Sequence, residues 1–146
     1  MFAHQQLLGL VVASLSADPV LSSGPVLRQR RRAMAEGEQQ LVVVGLGRSL
    51  AQTIVMRGAP LDWQTILAVE YVARCGASLN PDEAVAPLIT AGHAALVGSS
   101  ALSAAGFQVD PNPTIDWDQQ EADERIGACT AQYVVRHRTS DAHLNA

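Results

Sequence analysis

The longest uncharged stretch of the chain covers residues 84–109 and is rich in alanine and glycine. The preceding residues 80–83, Asn-Pro-Asp-Glu, are typical of a helix start, because Asn caps free amides, Pro suits the first turn and Glu bonds back to the cap. Pro87 should kink the helix, since its ring removes one backbone donor. The pattern predicts a long, closely packed central helix that breaks or bends near Gly98.

Three other segments place apolar residues at helical spacing. They are residues 39–57, with Val43, Leu46, Leu50 and Ile54; residues 62–75, with Ile66, Val69, Val72 and Ala73; and residues 116–138, with Trp117, Ile126, Cys129, Tyr133 and Val134. The run 41–44 fits a strand equally well, because short apolar runs carry no clear period. Taken together, the segments predict an all-α domain over residues 39–138, a compact bundle of about four helices with a kinked, alanine-rich central helix. Residues 139–146 should form a frayed tail.

Residues 1–38 are expected to form an N-terminal extension outside this domain. Residues 7–17 are an apolar run as long as the core of a secretory signal, but the residues before them carry no positive charge. A disordered region, a docking helix and a stretch upstream of a true start at Met34 are the other interpretations. The sequence leaves these alternatives open.

Composition favours helices and excludes some chemistry. The chain has 23 alanines but few aromatic residues, a balance typical of helices rather than strands. All ten basic residues are arginine, which excludes a Schiff-base lysine and a Walker-type phosphate lysine. Residues 34–146 carry six arginines and thirteen acids, a net charge of −7, and this disfavours nucleic acid as a partner. Cys75 and Cys129 are too far apart for a metal motif, so we expect buried free thiols in a cytoplasmic protein.

The short motifs that suggest known chemistry are incomplete. Gly45 and Gly47 follow an apolar run, as in the opening of a dinucleotide-binding fingerprint, but Leu50 stands where a small residue is needed. Residues 62–98 resemble a helix-turn-helix only in outline, because acids at the start of the second helix would repel phosphates. The acids between residues 116 and 124 are explained by the preference for negative charge at a helix start. We therefore expect no catalytic residue, no cofactor and no metal site.

The leading functional expectation is a small acidic protein-interaction module, such as an adaptor, chaperone or inhibitor. Its partner would be another protein or a second copy of the chain, and a membrane is disfavoured. The candidate interface combines four aromatic residues with small residues of the central helix: Trp63, Tyr71, Phe107, Trp117, Ala91, Ala95 and Gly98. Aromatic side chains dominate interface energetics, and small residues allow a second helix to approach closely.

Two alternatives from other functional classes stay open. A small enzyme could use His93 together with Glu70 or Cys75, and His93→Ala would then abolish its activity. A membrane-associated helical protein could use residues 7–17 and 84–109, since the second stretch exceeds the roughly 20 residues that span a bilayer.

Overall fold

The computed structural model describes residues 2–28, 34–52, 58–76, 79–118, 126–140 and 144. These residues form three α-helices, α1 (Ala3–Ser16), α2 (Pro81–Val97) and α3 (Ser100–Ala104). They also form six strands, β1 (Val26–Arg28), β2 (Gln40–Gln52), β3 (Leu61–Arg74), β4 (Gln108–Val109), β5 (Thr114–Asp118) and β6 (Ile126–Thr139).

The prediction of an all-α bundle is wrong, because the described residues form a six-stranded sheet with helices packed against it. Residues 39–57 contain β2, residues 62–75 contain most of β3, and residues 116–138 contain most of β6 and part of β5. β-branched and aromatic residues favour the pleated surface of a sheet. In these segments that preference outweighs the helix propensity of the alanines, which is a weak influence compared with tertiary packing.

The strand β3 shows why a helical stripe is misleading here. The alternate residues on one side of β3 are all buried: Thr65, Leu67, Val69, Tyr71 and Ala73. Successive side chains of a strand point to opposite faces, so this burial has the period of a strand. Of the predicted helical stripe, Ile66 and Val72 lie on the other face from Val69.

The sheet has the strand order β1-β2-β3-β6-β4, and β5 also pairs with β6. β1 is parallel to β2, whereas the other pairs are antiparallel. The long strands β3 and β6 form the centre, with Leu61 opposite Thr139 and Arg74 opposite Ile126. Because residues directly opposite each other share a face, this register determines which side chains lie together.

The helices share one hydrophobic core with one face of the sheet, here called the inner face. This face carries the buried residues of β3 named above together with their partners on β2 and β6, such as Val44 and Tyr133. α1 contributes a buried stripe of Leu7, Leu8, Val11 and Leu15. Most of the apolar run 7–17 therefore belongs to a helix that is part of this core.

α2 lies on the surface of the fold rather than at its centre. Its buried residues are Val85, Leu88, Gly92 and Leu96, and its exposed residues include Ala86, Pro87, Thr90 and Ala94. The most apolar window of Pro81–Ala104 is only 28% buried, so the expectation of a closely packed central helix is wrong. By length and composition alone Pro81–Ala104 could cross a membrane, but core helices of soluble proteins pass the same test.

The predicted start of α2 is confirmed. The Asn80 backbone N–H donates to Glu83 Oε2 at 3.2 Å, and Pro81 lies in the first turn. Since this bond satisfies an amide outside the helical hydrogen-bond ladder, Glu83→Ala should lower the free energy of unfolding by about 0.5–1 kcal/mol. Urea denaturation measures the change. Glu36→Ala, at an exposed acid in a turn, is the control, and an equal effect of both substitutions would contradict the prediction.

Candidate functional site

The face of the sheet opposite the helices, here called the outer face, carries the alternate residues of each strand. They are Leu41, Val43, Gly45, Leu50 and Gln52 of β2; Asp62, Gln64, Ile66, Ala68, Glu70, Val72 and Arg74 of β3; Gln108 of β4; Thr114, Asp116 and Asp118 of β5; and Ile126, Ala128, Thr130, Gln132, Val134, Arg136 and Arg138 of β6. The main hydrophobic cluster of the described residues contains none of these side chains, although Leu41, Val43 and Ala128 are themselves buried. The outer face is therefore a surface separate from the core.

An apolar band runs along the middle of the outer face and consists of Val43, Ile66, Ala68, Val72 and Val134. Ile66 on β3 lies directly opposite Val134 on β6. Val43 is buried, and the other four residues are half-buried. An antiparallel sheet with one solvated face normally carries polar residues there. An apolar band on that face is typical of a surface that another molecule covers.

Charged residues lie towards the two ends of the apolar band, and Glu70 lies within it, between Ala68 and Val72. Arg136 and Arg138 are on the part of β6 near its carboxyl end. Asp116 and Asp118 are on β5, opposite Thr130 and Ala128 in the first third of β6. The outer face therefore has a basic end and an acidic end, separated along β6 by about 20 Å at the usual rise of a strand.

Several charged residues of the outer face interact with other groups of the chain, Glu70 among them. Arg138 donates to both carboxylate oxygens of Asp62, from Nε at 2.7 Å and from Nη2 at 3.2 Å. The hydrogen bond from Arg138 lowers the pKa of the Asp62 carboxyl. Beyond the acidic end, Arg74 donates from Nε to the Glu38 carbonyl oxygen at 2.8 Å. This bond holds the turn at residues 35–38 against that end of the sheet.

The four aromatic residues of the predicted interface lie in different environments. Tyr71 and Phe107 are fully buried in the core and offer no surface to a partner in this conformation. Trp63 is half-buried and donates from Nε1 to Thr139 Oγ1 at 2.9 Å. Trp117 is 53% exposed on β5. The structure does not bring the four together on one surface, and Trp117 alone among them is largely accessible.

The small residues of the predicted helical interface are also divided. Ala91 and Ala95 are half-buried and pack against the core, whereas Gly98 is exposed at the end of α2. Between the two alanines, Gly92 is buried against Tyr71. Close packing of this stripe within the chain therefore accounts for Ala91 and Ala95.

The structure separates Glu70 from His93, two residues of the alternative enzyme site. His93 Nδ1 lies 3.0 Å from Tyr133 Oη, and the two rings stack. Glu70 is on the outer face, across the sheet from α2, so the structure separates it from His93. Cys75 is a buried free thiol, as is Cys129, whose thiol pKa burial raises to about 11. The prediction of two buried free thiols is confirmed.

A cluster of rings that the sequence did not reveal lies at the end of the inner face. The ring of His4, at the start of α1, meets those of Trp63 and His137 edge-on, with centroids 5.0 and 4.9 Å apart. Ser49 Oγ donates to Thr65 Oγ1 at 3.0 Å, and Thr65 Oγ1 lies 2.9 Å from His137 Nε2. The Thr65 hydroxyl can then donate to Nε2, which places the ring hydrogen of a neutral His137 on Nδ1.

Burial keeps the two imidazoles of this cluster uncharged. It lowers the pKa of His137 to about 4, with a smaller effect from the neighbouring His4, and it also lowers the pKa of His4. His137 Nδ1 and both ring nitrogens of His4 are buried without a hydrogen-bond partner among the described residues. In the same part of the chain, no group of three or more His, Cys, Asp or Glu side chains could hold a metal ion. The cluster is thus a set of packed rings in which burial lowers the pKa of both imidazoles.

The remaining motifs have structural explanations or fall outside the described residues. Gly45 and Gly47 lie within β2 rather than in a strand-to-helix turn, so the dinucleotide fingerprint lacks its required context. Asp116 and Asp118 belong to a strand, and the explanation of these acids as helix-start charges is wrong. The other acids of that segment, Glu121, Asp123 and Glu124, lie outside the described residues.

Neither the protein-family models nor the curated proteins compared with this chain match it.

Sequence reasoning missed the outer face of the sheet and its apolar band. The signal that could have indicated it is the alternation of β3, where two sets of apolar residues interleave over residues 65–73. A strand with apolar residues on both sides requires cover on both faces. The helices supply that cover on the inner face.

Proposed function

We propose that this chain is a protein-interaction module that binds another protein through the outer face of its sheet. The apolar band on that face carries the proposal, because its residues lie outside the hydrophobic core and yet are not polar. Covering such a band removes apolar surface from water, which is the main favourable contribution to most protein association. An adaptor, a chaperone and an inhibitor would each use a surface of this kind.

The charges around the apolar band support this proposal. Arg136 and Arg138 at one end and Asp116 and Asp118 at the other can direct a partner into one orientation. A polar rim around an apolar centre is the usual anatomy of a protein interface. Rim charges mainly affect the association rate and the choice of partner.

Site-specific photo-cross-linking in cells that produce the full chain tests the proposal. A photoreactive residue is placed at Ile66 in the apolar band, at Ala94 on the exposed side of α2, or at Gly9 on the exposed side of α1. Position 66 is expected to give a discrete heavier product, identified by mass spectrometry, and the other positions are expected to give much less. This difference in cross-linking is expected only if a partner protein covers the outer face.

Val134→Asp in the chain labelled at position 66 provides the matched control. The substitution places a charge directly opposite Ile66 and should remove the cross-linked product while the protein stays folded by circular dichroism. Equal labelling from position 94, or a product that survives Val134→Asp, would overturn the proposal. In the first case the exposed side of α2 would be the better candidate surface.

A further inference from the structure

We infer that the partner covering the outer face is a second copy of this chain, packed sheet to sheet about a two-fold axis that crosses the strands. This inference rests on the proposed function, because it needs the outer face to be an interface. The charge pattern of the outer face supports this inference. Its basic and acidic ends are arranged so that the surface is complementary to itself.

The register of β5 on β6 gives this complementarity in detail. A two-fold axis that crosses β6 between Gln132 and Val134 places Arg136 over Thr130 of the second copy, and Arg138 over Ala128. Asp116 lies beside Thr130 on the adjacent strand β5, and Asp118 lies beside Ala128. Arg136 of one copy therefore faces Asp116 of the other, and Arg138, which also bonds Asp62 of its own chain, faces Asp118; the symmetry repeats both pairs.

The same axis brings the middle of the apolar band onto itself. Ile66 and Val134 lie next to the axis, and Ala68 of one copy lies over Ile66 of the other, because Ala68 and Ile66 are each one position from the axis along β3. Two sheets that pack face to face lie about 10 Å apart, with their strands inclined by roughly 30°. An arginine side chain is long enough to reach a carboxylate across that spacing. An isologous interface requires this kind of self-complementary surface.

Glu70 also lies opposite Thr130, on the β3 side, and already has an interaction within its own chain. The acid proposed to face Arg136 is therefore Asp116, on the β5 side. The two sheets could also pack about a two-fold axis that runs parallel to the strands. That arrangement would place β5 over the β1–β2 edge and would leave Arg136 and Arg138 away from the aspartates. The charges thus select the axis that crosses the strands.

Sedimentation velocity of the purified full chain over a range of concentrations tests this inference. The wild-type chain is expected to sediment as a dimer. Arg136→Glu and Asp116→Arg should each raise the dimer dissociation constant roughly tenfold or more, because each creates a like-charge pair twice in the dimer. The double variant Arg136→Glu/Asp116→Arg should recover most of the loss, since the exchanged charges again face each other.

Arg28→Glu is the matched control, because it makes the same charge change at an exposed residue opposite Val44, a position of the inner face. It should leave the dimer unchanged. A dimer that neither single variant weakens, or a double variant weaker than both singles, would overturn the inference. A wild-type chain that stays monomeric while position 66 cross-links to a different protein would refute self-association and leave the proposed function standing. A monomer without any cross-link at position 66 would refute both.

Discussion

Gly92→Ala is expected to lower the free energy of unfolding by about 3 kcal/mol, the upper part of the usual range for adding a methyl group to a packed site. Gly92 of α2 lies directly on the ring of Tyr71 in the centre of the sheet. A Cβ atom at residue 92 would overlap the Tyr71 hydroxyl and would lie 2.6 Å from its Cζ. Tyr71 is fully buried, so the ring can yield only if α2 shifts away from the sheet. Chemical denaturation measures this loss of stability. The dependence of the unfolding free energy on denaturant concentration should stay unchanged.

Two further variants show whether this overlap is the cause. Tyr71→Phe alone should be close to neutral, since the hydroxyl is buried without a partner among the described residues and its removal breaks no bond there. Combined with Gly92→Ala it should restore part of the stability, because it removes the closest atom. Gly9→Ala, where an added Cβ meets nothing within 4 Å, should instead stabilise α1 by up to about 1 kcal/mol. If Gly92→Ala were as stable as the wild type, α2 could not lie on Tyr71 as described.

The second large effect is a loss of stability in mild acid. Burial lowers the pKa of His137 from 6.5 in an unfolded chain to about 4 in the folded protein. Between these values the unfolded chain binds a proton that the folded protein excludes. The contribution of neutral His137 is therefore fully present above pH 6.5 and is lost as the pH falls towards 4. The shift corresponds to about 3 kcal/mol, and His4, whose pKa is lowered by burial, adds to it in the same direction.

Urea denaturation at about pH 7.5 and about pH 4.5 measures this loss, and His137→Phe identifies its source. Phenylalanine keeps a ring among those of His4, Trp63 and Phe107 but cannot be protonated. The variant should therefore lose much less stability between the two pH values than the wild type. An NMR titration of the wild-type protein provides an independent reading, with His137 titrating near pH 4. An ordinary histidine titration, or an unchanged pH dependence in the variant, would contradict the prediction.

Local features of the fold could be predicted from the sequence, but its class could not. The start of α2 was predictable because its capping residues act within four positions of one another. β3 was not, because it has apolar residues on both faces, and such a run contains matches to the helical period as well as to the strand period. Alanine strengthened the error, since Ala68, Ala73, Ala128 and Ala131 lie in strands despite their helix propensity.

The candidate site was harder to predict from the sequence than the fold. No residue of the outer face is unusual by itself. The register of β5 and β3 on β6 brings these residues together on one surface. Ile66 and Val134 lie opposite each other although 68 positions separate them in the chain. No local pattern encodes such a pairing. The aromatic residues of the predicted interface were chosen by residue type alone, but Tyr71 and Phe107 are buried in the structure.

The pairing of β3 with β6 also affects how the chain folds during its synthesis. Even the closest partners of this pair, Arg74 and Ile126, are separated by the whole of α2, α3, β4 and β5. During synthesis the hairpin of β2 and β3 leaves the ribosome long before β6 is made, and it then lacks both α2 on its inner face and β6 beside β3. Folding dominated by such distant contacts is slow, on the order of milliseconds to seconds. A nascent chain of this protein should therefore depend on chaperones until its last long strand has emerged.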